Sequence, residues 1–320
     1  MSKRKIWLIV AVVLMLVGGV LFAVTMGIVA PNFEELSTMK YQDKRYEFNE
    51  DFTDILLTTK TADITFAPAE DGKAAVVCHE MEKAAHEVRV KDGKLMIVMV
   101  DNRAWYEHIG ISFDTPKLTV YLPTGAYGML GVQATTGSVK IGAEFTFASI
   151  DVKTNTGAVT CRASATGNVK IHTSTGAIEL TGASAGSLDL RVSTGRVTLR
   201  DVTCTGDAAV KVSTGRATVT NLHCGAFRSE GSTGDLQMTN VIATGRFDIE
   251  RDTGDVKLVD CDAAEVCIDT DTGDVNCVFL SEKVVFAKTD TGRIDVPSVT
   301  SGGRCEIETD TGDIKVTIKR

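Results

Sequence analysis

The chain has 320 residues, a formal net charge of −8, and 43% hydrophobic but only 6% aromatic residues. Its length holds one or two domains with ample core, and its acidic balance argues against nucleic acid as a partner, because a polyphosphate is normally met by a basic face. So few aromatic rings leave little material for recognition by stacking, and 29 glycines against five prolines point to many tight turns.

Residues 1–30 read as a single transmembrane anchor. After Lys3, Arg4 and Lys5, the run from Ile6 to Ala30 carries no charged side chain. As a helix rising ~1.5 Å per residue it would cover roughly 37 Å, enough for a hydrocarbon core of ~30 Å with some tilt. A cleaved secretory signal has a shorter apolar stretch, typically about 7–15 residues, and Ala30 precedes Pro31, a poor cleavage context. The basic cluster favours a cytoplasmic N-terminus. The expected location is therefore the cell membrane, crossed once by residues 6–30, with residues 31–320 outside the cytoplasm.

Residues 31–45, PNFEELSTMKYQDKR, read as a polar stalk. From 46 to 127 the chain alternates as strands without a glycine period, in DILLTTKTADITFAP, EVRVKDGKLMIVMV and KLTVYLP. Lys91-Asp92-Gly93-Lys94 is a hairpin turn signal. This part is expected to be an N-terminal β cap covering the edge of the first coil. At the opposite end, Lys315, Lys319 and Arg320 are expected to guard the final strand against edge-to-edge growth.

Residues 128–320 repeat. Glycines preceded by threonine stand at 137, 157, 176, 195, 215, 234, 254, 273, 292 and 312, always 19 or 20 apart. Seven residues before them lies the column Leu130, Ile150, Val169, Leu188, Ala208, Phe227, Phe247, Val266, Val285 and Cys305. The columns two and four residues after the glycine are apolar throughout, and in the column five before it only Ser229 breaks the pattern. Alternation on both sides of the glycine indicates two short strands per repeat, each with one buried face. The inward phase changes at the Thr-Gly step, so the chain must bend or bulge there. Glycine suits such a corner, as at the third position of a type II turn. A second glycine column, nine residues earlier, marks a second corner. The expected fold is all-β: a parallel β-solenoid, β-helix-like, of about ten coils of 19–20 residues, each lying on its sequence neighbour. Right-handed winding is the prior for parallel crossovers.

TADITFAP, DGKLMI, KLTVYLPTG and the serial STGRV, STGDL and DTGDV corners resemble the bacterial β-strand-repeat family of unknown function known as the "putative adhesin" or Toastrack-type domain. The resemblance covers roughly residues 46–320. It implies a surface-facing module, often tethered to a membrane and in some members linked with envelope-stress systems, and it carries no catalytic residues to transfer. The expected function is a non-enzymatic, membrane-anchored extracytoplasmic repeat protein for envelope interaction or adhesion. Its partner would be an envelope membrane protein or a wall or surface glycan. The alternatives are a sensor or regulatory component of an envelope-stress system and a glycan-active β-helix enzyme.

Several residue groups invite chemistry, and each has a plain structural reading beside it. Asp252, Asp255, Asp271 and Asp274 stack at coil spacing and could share a calcium ion, or be solvated turn residues. Arg196, Arg216 and Asp235 share one column, the most that can be offered for catalysis, with no long loop to wall a cleft. Cys78, His79 and His86 suggest a metal, but paired-cysteine spacing is absent and ordinary strand roles are the default, so no catalytic, cofactor or metal residues are assigned. Cys204 and Cys224, in equivalent places of successive coils, could form a disulfide; the other reading is simple packing.

Overall fold

The computed structural model describes residues 3–29, 40–48, 50–105 and 114–319. Lys3–Val29 form one helix, α1, of 27 residues. Its side chains are described without a break only from Ile9 to Val24, and among the described residues no helix is long and apolar enough to cross a membrane. Residues 31–39 of the expected stalk lie outside the described residues, while Tyr41 to Arg45 lie not in a stalk but in a strand.

Seven strands precede the glycine period: β1 (Tyr41–Glu47), β2 (Asp54–Thr61), β3 (Asp63–Pro68), β4 (Ala75–Met81), β5 (Ala84–Lys91), β6 (Lys94–Asp101) and β7 (Lys117–Leu122). Beyond them the ten glycine coils stack as parallel strands, Ile150 beside Val169 beside Leu188 beside Ala208. The inward columns form dry rows; Leu130, Ile150, Val169, Leu188 and Phe227 are at most 3% exposed. Each fully buried large apolar side chain contributes about 1.5–3 kcal/mol. The solenoid is therefore held by row-on-row burial between neighbouring coils.

The Thr-Gly step is a bend, but not a type II turn. Strand Ser187–Cys204 runs through Gly195, whose φ is +146°, far from the +80° of that turn. The backbone stays extended in the mirror-image region that only glycine reaches cheaply. Stacking imposes a second requirement: a Cβ on Gly195 would lie 1.7 Å from the Gly176 carbonyl oxygen. The coil also has a bend absent from the two-corner expectation. Six residues after the glycine, Asp201, Asn221, Asn240 and Asp260 adopt φ of 53–54°. Asn and Asp tolerate this left-handed conformation best. Their side chains form a ladder, with Asn221 Nδ2 donating to Asp201 Oδ1 at 2.5 Å and Asn240 Nδ2 to Asn221 Oδ1 at 2.9 Å.

Ser229, the one polar residue in its column, belongs to a local rearrangement of the core. Arg251 occupies an inward position and is 2% exposed. In the adjacent coil the residue beside it is Gly231, and the guanidinium fills the space a side chain would take there. Its Nη2 donates to Ser229 Oγ at 2.6 Å, while Nε has no hydrogen-bond partner. Burial pushes the guanidinium down to about 10, against the upward pull of Asp235.

Both ends depart from simple winding. β2 and β3 already form a coil, pairing in parallel with Gly125–Thr136 and Val139–Ile141. β6 and β7 form another on its far side, so the chain lays down the inner winding first. β5 on β6, β4 on β7 and β1 on β4 are antiparallel covers. At the other end the Gly312 coil inserts between the Gly273 and Gly292 coils: Val266 pairs with Cys305, which pairs with Val285. Consecutive windings therefore do not always touch. The end coil carries Ala287 where its neighbour has Ile307, and it leaves Phe286 and Ile294 exposed. The expectation that Lys315 and Lys319 guard the edge is corrected, since the outermost strand is Lys283–Thr291 with Lys288 on it, and Lys319 instead pairs with Asp260 at 2.8 Å. Arg320 lies outside the described residues.

Candidate functional site

Parallel stacking turns single outward residues into ladders along the rod. The column four residues before the glycine reads, in spatial order, Lys153, His172, Arg191, Lys211, Glu230, Glu250, Asp269, Glu308 and Lys288. The nitrogen-bearing side chains precede four consecutive carboxylates. At the change of sign, Lys211 Nζ lies 2.6 Å from Glu230 Oε2, and that hydrogen bond lowers the Glu230 carboxyl below its usual range. Further along, Asp269 is raised by burial and then by Glu308, Asp271 and Asp310. Lys288 pairs with Glu308 at the end of the ladder. Like charges opposite one another on adjacent strands repel, so this face is carried by the core beneath it.

The aspartates after the corner glycines do structural work. Asp274 N–H donates to Asp255 Oδ1 at 3.0 Å, Asp313 N–H to Asp274 Oδ1 at 2.8 Å, and Arg293 N–H to Asp313 Oδ1 at 2.8 Å. Each carboxylate thus satisfies an amide that the bend removes from the strand ladder. Asp252 and Asp271, two residues before the glycine, are exposed. Asp235 is likewise engaged, by Arg216 Nη2 at 3.0 Å and by Asp255 N–H at 3.3 Å; Arg196 lies in register beside Arg216. Cys204 and Cys224 are both free and buried, so the disulfide is not formed.

In the N-terminal region, strand alternation separates the residues that suggested a metal. Cys78 faces inward with Glu80, a residue the sequence reading passed over, and His86 joins them from β5; all three are buried. An inward carboxylate two residues from an inward cysteine was the available signal. His79 faces outward, with Nδ1 2.7 Å from Asp43 Oδ1 and Nε2 2.7 Å from Asp114 Oδ2. The bonds to Asp43 and then Asp114 raise its pKa above 6.5. A raised folded-state value means the stabilisation is complete below about 6.5 and is lost as pH rises through the raised value. The melting temperature of the chain is expected to fall as pH climbs from about 6 through neutrality. His79→Gln should flatten that slope, and an unchanged slope would count against this linkage.

Compared with known proteins, the chain matches the Toastrack DUF4097 family model over residues 52–215 and again over 204–320. It is similar to a "putative adhesin" of solved structure from Bacteroides fragilis, at 15% identity and a TM-score of 0.37, covering 87% of this chain and 97% of that one. It is also similar to a "putative lipid binding protein" from Parabacteroides distasonis, at 12% identity and a TM-score of 0.42, covering 86% and 97%. No curated protein matches the chain. The family resemblance carried by the corner motifs is borne out.

Proposed function

The chain belongs to the Toastrack DUF4097 family, and from that premise we propose that it is a non-enzymatic, surface-interaction β-solenoid. Residues 6–30 hold it at the cell membrane, and residues 31–320 stand outside the cytoplasm, where the ladder face meets a partner in the envelope. The observation that carries this reading is the segregated column from Lys153 to Glu308. Placing the carboxylates of Glu250, Asp269 and Glu308 side by side lowers local stability, and natural proteins accept such departures chiefly at surfaces with a task. The rigid parallel stack fixes the spacing of the charges at ~4.8 Å, which suits an extended, repetitive partner surface. Against a glycan-cleaving role stands the commitment of Asp235 to Arg216 and to a backbone amide.

Photo-crosslinking in intact cells from His172, Arg191, Glu250 and Asp269 tests the reading. Capture of one envelope component, weakened by high salt and by Glu250→Lys with Asp269→Lys, is the expected outcome. A captured membrane regulator identifies the envelope-stress form of the function, and wall material or a foreign surface identifies adhesion. Crosslinks that ignore both salt and charge reversal would overturn it. Deleting residues 6–30 is expected to release the protein from the membrane fraction.

A further inference from the structure

We propose that Cys78, Glu80 and His86 form a buried site for a zinc-type divalent transition metal ion. One ligand atom from each lies within 4.8 Å of the other two, and the three residues are 0%, 1% and 3% exposed. Bonds of about 2.0–2.3 Å to a tetrahedral ion place ligand atoms roughly 3.5 Å apart, so closure asks only for small side-chain shifts. A mixed thiolate, imidazole and carboxylate set is the donor chemistry zinc accepts.

Two further observations point the same way. Glu80 is an inward carboxylate whose Oε1 has no hydrogen-bond partner and lies 4.0 Å from Lys44 Nζ, while Oε2 accepts from His86 N–H and faces His86 Nδ1, both at 2.7 Å. A buried carboxylate is costly unless its charge is matched. Zinc bound by one thiolate, one carboxylate and one neutral imidazole leaves the site with no net charge. The imidazole is also held for the purpose. His86 Nε2 lies 3.0 Å from Thr59 Oγ1, whose hydroxyl in turn donates to Met99 Sδ at 3.7 Å. At 2.7 Å from Glu80 Oε2, Nδ1–H donates to that carboxylate; when a metal takes Nδ1, the ring proton moves to Nε2, where Thr59 Oγ1 accepts it. Orientation of a ligating histidine through its second nitrogen is the usual arrangement at metal sites. A cavity of about 210 Å³, lined by Lys60, Met81, His86, Met99, Asp101 and Arg103, adjoins the ring. On binding, the Cys78 S–H bond breaks, a sulfur–metal bond forms, and the thiol proton leaves to solvent.

The test is titration of the chelator-treated, thiol-reduced full chain with Co²⁺, followed by competition with Zn²⁺. The expected result is one equivalent of Co²⁺ with a thiolate charge-transfer band and the intense visible bands of a tetrahedral ion, displaced by Zn²⁺. Cys78→Ser should abolish the charge-transfer band, and Glu80→Gln should weaken binding. Thr59→Val should cut affinity about tenfold to a hundredfold, while His79→Gln leaves it unchanged. Absence of a stoichiometric cobalt spectrum in the wild-type protein would overturn the proposal without reference to any variant. So would a spectrum that survives Cys78→Ser in a protein whose circular dichroism is native.

Discussion

Gly195→Ala is expected to destabilise the solenoid by more than about 3 kcal/mol, because two costs fall on one methyl group. The backbone at φ +146° disfavours any L side chain, and the new Cβ would meet the Gly176 carbonyl oxygen at 1.7 Å. That oxygen belongs to a strand paired on both sides, so it cannot retreat without breaking its ladder. The informative comparison is Gly182, where φ is +66° and nothing lies within 4 Å of a built Cβ. Gly182→Ala should cost only about 1–2 kcal/mol, the ordinary price of a left-handed residue. Gly182→Asn should cost less still, since Asn221 and Asn240 hold the same place in later coils. Urea midpoints of the three variants test the argument; equal losses at Gly195 and Gly182 would refute the stacking half of it.

The buried arginine makes the second prediction. Ser229→Ala removes the one side-chain acceptor that the Arg251 guanidinium has among the described residues and is expected to cost about 1.5–3 kcal/mol, the value of a hydrogen bond to a buried charged group. Arg251→Met should be neutral or stabilising by about 1–3 kcal/mol, because an unbranched apolar chain fills the space over Gly231 without a charge to desolvate. With methionine at 251, Ser229→Ala should cost nothing, since the hydroxyl then has no guanidinium to meet. The cycle is therefore strongly non-additive, and denaturation of the four proteins measures it. Additive losses would show that Ser229 and Arg251 act independently.

The fold was largely legible because its repeat is written in residue types with few substitutes. Only glycine meets both demands of the Thr-Gly bend, and burial on one strand face filters the inward columns for apolar side chains. The bend at Asp201, Asn221, Asn240 and Asp260 was harder to see, since Asp and Asn are equally at home in exposed turns. Ser229 was visible as an exception, but its meaning depends on Gly231 and Arg251, which meet only across adjacent coils.

The candidate face was less legible, for a geometric reason. The chain presents Asp269, Lys288 and Glu308 in that sequence, whereas the Gly312 coil slips inside the Gly292 coil and makes the carboxylates contiguous. Nothing in the spacing signals the exchange, because every coil offers a similar parallel edge. The buried trio of Cys78, Glu80 and His86 has the same character, because β4 and β5 join their inward faces through antiparallel pairing near their turn. Residue types thus dictate the period, the bends and the dry interior, since each is a local demand repeated coil by coil. Which coils are neighbours, and which polar groups meet, depends on competition among nearly equivalent edges and is resolved only when the whole stack is packed.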